Sequence, residues 1–170
     1  ISDRKNLERI FKKRIQGMAY ANGDWNDEVA QMMKMCGIKY ARTVTSTENF
    51  DLPKDWLKLH ATCHHANPKL MELAEKFVNY VPRLNFWWDE PILFYLWGHS
   101  YEFNEKDNWY IIEEFAKYIG NREDIWYATN GEICEYVQAF DNLVFGLNED
   151  YIYNPTAIDL YVAYMGKNYL

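Results

Sequence analysis

At 170 residues the chain is sized for one domain with a sizeable core, and 49% hydrophobic and 18% aromatic content excludes a disordered chain. Its 18 Lys and Arg are scattered among 25 acids, for a formal charge of -7, which excludes the basic stripe that nucleic acid requires. No uncharged run approaches the roughly 20 residues of a membrane helix, so no membrane span is expected.

Asp3 to Lys13 carries Leu7, Ile10 and Phe11 at helical spacing and predicts a short helix. Gly17 to Tyr20 is a short strand, followed by the loop Ala21 to Trp25. Asn26 is the N-cap of a helix with Asp27 and Glu28 in its first turn. Val29, Met32, Met33 and Cys36 form its buried stripe, and Gly37 ends it. Ile38 to Val44 reads as the next strand, with Thr45 to Asp55 a polar loop at its carboxyl end. Trp56 to Cys63 is a third strand that delivers His64 and His65 to the loop beyond it.

Asn67-Pro68 opens a helix in which Leu70, Leu73, Ala74, Phe77 and Val78 fall at i, i+3, i+4, i+7 and i+8. Pro82 to Pro91 is a tryptophan-rich loop. The uncharged run Ile92 to Trp97, bounded by Pro91 and Gly98, reads as a strand buried on both faces, with His99 at its carboxyl end. Asp107 caps a helix buried through Ile111, Ile112, Phe115 and Ile119, which Gly120 ends. Ile125 to Ala128 is a fifth strand, and Asn130 caps a helix with Ile133, Val137 and Phe140 inward. Leu143 to Leu147 and Tyr151 to Tyr153 make a hairpin through Asn148-Glu149-Asp150, and Ile158 to Tyr164 adds a last strand. The alternation is that of βαβ units, so the fold class is α/β in one domain over residues 1–170, with about five mostly parallel strands.

Cys36, Cys63 and Cys134 lie far apart, with no disulfide framework and no zinc-ribbon spacing; Cys36 and Cys134 fall on apolar helix faces. The chain opens Ile1-Ser2-Asp3 without methionine or a secretory pattern, so the true amino terminus is expected upstream and the compartment stays open between cytoplasm and export. Every histidine has an address. His60, His64 and His65 lie at or just past one strand end and His99 at another, and if those strands are parallel neighbours all four face one pocket.

His60 and His64 have the H-x3-H spacing of a metal pair, with Cys63 and His65 as further donors, but that spacing joins two imidazoles on a helix and here it falls on a strand. The other reading is that His64 and His65 bond loop backbone and shape a pocket. A neighbouring carboxylate would hold His99 as a general acid, and Asp51, Asp55, Asp89 and Glu102 are the candidates. There is no nucleophile elbow, phosphate-binding glycine loop or dinucleotide fingerprint. The 14 Tyr and 7 Trp suit the flat faces of a carbohydrate site and equally fill cores.

Four segments carry a resemblance. They are Arg14-Ile-Gln-Gly-Met-Ala-Tyr-Ala-Asn-Gly-Asp-Trp-Asn-Asp-Glu-Val, Cys36-Gly-Ile-Lys-Tyr-Ala-Arg-Thr-Val, Thr62-Cys-His-His and Trp97-Gly-His-Ser-Tyr-Glu-Phe. From about residue 14 to about residue 140 the chain resembles the carboxyl-terminal half of the polysaccharide deacetylases, the NodB-type enzymes of carbohydrate esterase family four. The resemblance implies a distorted (β/α)7 barrel and removal of acetyl groups from N-acetylated polysaccharides or oligosaccharides by means of a divalent metal, zinc. It makes His99 the general acid that protonates the leaving nitrogen, and Tyr20, Asn22, Trp25, Asp51, Asp55, His60, Cys63, His64, His65 and Glu102 the surroundings of the substrate pocket.

Ala19-Tyr20-Ala21-Asn22-Gly23 stands where the family has Arg-x-Pro-Tyr-Gly, so the arginine position is Ala19, the tyrosine position is Asn22 and only the glycine is kept. Asp51 to Trp56 resembles Asp-x-x-Asp-Trp with one residue too many between the acids. The family's Thr-Phe-Asp-Asp-Gly motif and its metal-binding histidine pair belong to the amino-terminal half and do not occur here in their place. The resemblance therefore implies a carboxyl-terminal portion that holds no metal ligand of the family, is inactive alone and needs an amino-terminal half or a second copy. A non-catalytic carbohydrate-binding or scaffold module is the alternative, supported by Ala19, Asn22 and the Phe86-Trp87-Trp88 loop.

Overall fold

The computed structural model describes residues 1–81, 91–148, 151–164 and 167–169. They form a mixed α/β protein with six α-helices and several small sheets, divided into two compact units, Ile1–Trp126 and Tyr127–Leu170.

In the first unit, strands β1 (Gly17–Ala19), β2 (Tyr40–Ser46) and β3 (Leu59–Ala61) lie side by side in that order, all parallel, with Gly17 opposite Tyr40 and Arg42 opposite Leu59. Ile38 to Val44 is thus an internal strand. β4 (Cys63–His64) follows β3 after a single residue and pairs, also in parallel, with β5 (Leu96–Trp97). Thr62 is the pivot between the two pairings. Its N–H donates to the Tyr95 carbonyl at 2.8 Å and its hydroxyl accepts from the Tyr95 N–H at 3.0 Å. The strand expected over Trp56 to Cys63 is accordingly a 3-10 turn, Trp56–Lys58, and then two short strands. Asp55 Oδ1 accepts the Leu57 N–H at 3.0 Å, which turns the backbone before it can extend.

Helix α2 (Asp27–Met35) crosses from β1 to β2. Asn26 Oδ1 accepts the Val29 N–H at 2.8 Å, and Gly37, at φ +80°, closes the helix, as its cap chemistry demands. Ala30 is buried among Tyr20, Ile38, Ala41 and Leu57, with Val29 and Met33 packed on them. The inward stripe is therefore 29, 30 and 33, and Met32, about 200° round from Ala30, is 53% exposed. Helix α1 (Ser2–Phe11) buries no residue, and its Ile10 and Phe11 stand in the open.

Helix α3 (Leu70–Val78) joins β4 to β5 and buries Leu70, Leu73 and Ala74 against Cys63 and Phe115. Helix α5 (Tyr110–Ile119) closes this second cluster through Ile111, Ile112, Phe115 and Ile119. The run Ile92 to Trp97 is half-buried throughout and only its last two residues join the ladder, a correction to the strand buried on both faces. Its period-2 alternation explains the difference. Phe94 and Leu96 pack on the cluster, while Leu93, Tyr95 and Trp97 line two cavities, the larger of which Leu96 also touches. A further helix, α4 (Ser100–Glu105), follows His99. Ile125 to Ala128 forms no strand, and Trp126 and Tyr127 are exposed.

In the second unit, helix α6 (Asn130–Asp141) is capped by Thr129, not Asn130. Thr129 Oγ1 accepts the Glu132 N–H at 3.3 Å and Glu132 Oε2 accepts the Thr129 N–H at 2.7 Å, a reciprocal capping box. Cys134 and Ala139 are its buried residues, and Phe140 faces solvent. β6 (Val144–Phe145) and β7 (Ile152–Tyr153) pair antiparallel, as the hairpin expectation requires, and β8 (Val162–Tyr164) pairs antiparallel with β9 (Lys167–Tyr169). Asp89, the Phe86-Trp87-Trp88 loop, Glu149 and Asp150 lie outside the described residues. Among the described residues the parallel strands do not close into a barrel.

Candidate functional site

The pairing of Cys63 with Leu96 and of His64 with Trp97 places the two histidine-bearing strand ends next to one another. Strand β4 stops at His64, and His65 opens a turn while its N–H still donates to the Trp97 carbonyl at 2.9 Å. In an unbroken strand consecutive side chains would point to opposite faces. Here the turn brings both imidazoles to one side, with ring centroids 4.2 Å apart.

His99 precedes α4, so Glu102 lies one turn on and Lys106 one turn further, all on the same side of the helix. His99 Nδ1 and Glu102 Oε1 are 2.9 Å apart, Lys106 Nζ is 3.2 Å from Oε2, His64 Nε2 is 3.4 Å from Oε1, and His65 Nε2 is 3.6 Å from Oε2. One carboxylate thus gathers three histidines and a lysine. The bond from His99, then Lys106 and the His64 ring, hold the Glu102 carboxyl down at about 2. With the carboxylate ionised, His99 Nδ1 is the donor and its Nε2 is left for other partners. Burial pushes His64 and His65 down, Glu102 opposing this at His64 and the His64 ring adding to it at His65.

Aromatic neighbours fix these rings. Phe103 lies 4.2 Å from His65, and Trp97 meets His64 edge-on at 4.6 Å. Gly98 is required by close approach, because a Cβ there would sit 1.8 Å from His65 Nδ1. A cavity of about 380 Å³ is lined by Arg42, His65, Tyr95, Trp97, His99 and Phe103 among others, with the Arg42 guanidinium 4.9 Å over the Trp97 ring. His64, His65 and Glu102 offer ligand atoms all within 4.8 Å of one another, a group that can hold a metal ion.

The remaining expected residues go elsewhere. His60 does not join the other three histidines. Its Nδ1 bonds Thr43 Oγ1 at 2.7 Å and its ring tilts against Trp25 at 6.2 Å. It lines a second cavity, of about 220 Å³, with Asp51, Asn49, Lys54 and Lys58, and Tyr95 is common to both cavities. The H-x3-H pair is thus separated, as a strand requires. Tyr20 is buried, stacks on Trp25 at 6.1 Å and donates its hydroxyl to the Leu57 carbonyl at 2.9 Å. Asn22 is exposed, in left-handed backbone at φ 54°. Asp55 caps the 3-10 turn. Cys63 is fully buried in the apolar cluster, and burial, with Glu48 adding to it, pushes its thiol up to about 11. Of the candidate carboxylates among the described residues, Glu102 is the one that meets His99. Lys106 was missed, though its i+4 spacing from Glu102 is a visible signal.

Comparison of this chain with protein-family models, curated proteins and solved structures finds no match.

Proposed function

We propose that the chain is the carboxyl-terminal portion of a polysaccharide deacetylase-like hydrolase, in which His99, oriented by Glu102, donates the proton to the leaving nitrogen. The observation that carries this reading is the 2.9 Å His99–Glu102 bond at the carboxyl end of β5, beside a cavity of about 380 Å³. The carboxylate accepts the Nδ1 proton and fixes the ring, which leaves Nε2 as the atom that can face a leaving group. The Arg42-backed Trp97 ring offers a flat surface for a sugar face.

The distorted (β/α)7 barrel belongs to the same proposal. Its support is the run of parallel pairings in chain order, β1 with β2, β2 with β3 and β4 with β5. β1 pairs only with β2 among the described residues, which leaves an edge for an amino-terminal half or a second copy. In the complete enzyme a divalent metal, zinc by the resemblance, supplies the activated water.

The test is acetate release from N-acetylated chitooligosaccharides. The chain alone should release none above background, and joined to an amino-terminal half it should be active. His99→Ala should then lower the rate by about 10²- to 10⁴-fold with unchanged circular dichroism. Equal rates for the variant and the parent would remove His99 from the chemistry. The non-catalytic carbohydrate-binding reading is favoured by Ala19 and Asn22 at the loop positions that resemble the deacetylase arginine and tyrosine. It predicts oligosaccharide binding without acetate release, indifferent to His99→Ala.

A further inference from the structure

We propose that His64, His65 and Glu102 of this chain bind a divalent metal of the zinc class, through the two Nε2 atoms and the carboxylate, with a fourth position open toward the cavity beside His99. The site does not depend on the deacetylase reading, whose metal belongs to the amino-terminal half.

Three observations meet here. First, two of the separations are too long for hydrogen bonds and near those of donors on one ion, and the three donor atoms lie within 4.8 Å of one another. His64 Nε2 to Oε1 is 3.4 Å and His65 Nε2 to Oε2 is 3.6 Å. A nitrogen and an oxygen joined by a hydrogen bond prefer about 2.9 Å. Two donors that share a tetrahedral zinc, each at about 2.0–2.1 Å, stand about 3.3–3.4 Å apart. Second, His65 is 2% exposed and its Nε2 has no hydrogen-bond partner. A buried polar atom left unpaired is costly, and a cation between it and the nearby carboxylate satisfies it. Third, the donor set is two imidazoles and one carboxylate, which suits zinc, cobalt or iron(II) and not calcium or magnesium. Three protein ligands leave a coordination position free, as in metal sites that hold a water or a substrate oxygen.

The surroundings hold the ligands in place. Phe103 packs on the His65 ring, Gly98 leaves it room, and Trp97 holds the His64 ring edge-on. His99 Nδ1 on Oε1 orients the carboxylate. Two features oppose the ion. Lys106 Nζ sits 3.2 Å from Oε2, although its side chain is half in solvent and can swing away. His64 Nδ1 accepts the Ala66 N–H at 3.2 Å, so binding at Nε2 shifts the ring proton to Nδ1 and gives up that contact.

The experiment is cobalt(II) titration of the chelator-treated 170-residue chain, followed by visible absorption, with zinc competition read by calorimetry. One cobalt per chain, with the intense d–d absorption of a four-coordinate site displaced by zinc, is the expected result. Glu102→Gln and His64→Ala should each weaken binding by about tenfold or more. His99→Ala should weaken binding by about 10- to 100-fold while keeping the four-coordinate band shape, because His99 holds the carboxylate and not the ion. Lys106→Met should tighten binding, a gain that misfolding could not produce. Weak octahedral absorption alike in parent and variants, or zinc affinity unchanged in Glu102→Gln, would overturn the site.

Discussion

Substituting Gly98 by alanine tests whether the site is as tightly built as its geometry states. The new Cβ would lie 1.8 Å from His65 Nδ1, 2.7 Å from Cε1 and 2.9 Å from Cγ, whereas ordinary contact begins near 3.4 Å. The His65 ring must therefore retreat by about 1.5 Å, yet it is buried, with Phe103 and His64 each at a centroid distance of 4.2 Å. Overpacking of this kind costs about 1–3 kcal/mol, and the backbone of Gly98 at φ +157° adds strain of its own. It also pulls His65 Nε2 out of register with Glu102. Gly37→Ala is the matched control. At φ +80° an added Cβ costs about 1–2 kcal/mol of left-handed strain, and its nearest neighbour is the far end of Arg4, 2.9 Å away and remote from the histidines. Urea unfolding should find both variants destabilised, Gly98→Ala the more, since it adds a clash with a buried ring to its backbone strain. Imidazole NMR should find the His65 resonances moved in Gly98→Ala alone. A Gly98→Ala protein within about 0.5 kcal/mol of the parent, with an unmoved His65, would refute the packing argument.

Two further outcomes are expected. The Ile15 N–H, then Arg4, hold the Glu8 carboxyl below the usual carboxylate range. A depressed folded-state value contributes stability above the unfolded value of about 4.3 that is lost as pH falls through the folded one. Carboxyl carbon NMR should place the Glu8 midpoint below that of an unfolded peptide, and Glu8→Gln should flatten the acid side of the stability curve; a midpoint at the ordinary value would contradict the bond. Native thiol titration at pH 8 should show Cys36 reacting fast and Cys63 and Cys134 only on unfolding, since the last two are buried and burial pushes the Cys63 thiol up to about 11. Fast reaction of Cys63 would place it outside the apolar cluster.

Much of the first unit was legible because its local signals agree with its packing. Asn26, the acids after it and Gly37 bound α2, and the apolar spacing from Leu70 to Val78 specifies α3. Helix α4 was hidden because Ser100–Glu105 is short and turns one residue inward, Phe103, so no periodicity develops. Ile125 to Ala128 has strand composition but no ladder partner, and β-propensity without a neighbour does not make a strand. At the site, the βαβ pattern allowed the two histidine-bearing strand ends to be neighbours, and the pairing of β4 with β5 makes them so. The convergence of His64 and His65 did not, since it depends on a turn that begins between them. The separation of His60 from His64 follows from that same strand geometry, which the H-x3-H spacing alone conceals. The choice of Glu102 over Asp51 and Asp55 rests on α4, whose apolar pattern is too short to announce it and whose one sequence signal is the i+4 spacing of Glu102 and Lys106.

The central claim is that Glu102 gathers His64, His65 and His99 while His60 stands apart. Long-range proton–nitrogen NMR of the four imidazoles, on the parent and on Glu102→Gln, tests it directly. The parent should show His99 protonated at Nδ1. The variant should move the signals of His64, His65 and His99 together and leave His60, bonded to Thr43, in place. A variant in which those three rings are unmoved, or in which His60 moves as far as they do, would contradict the account.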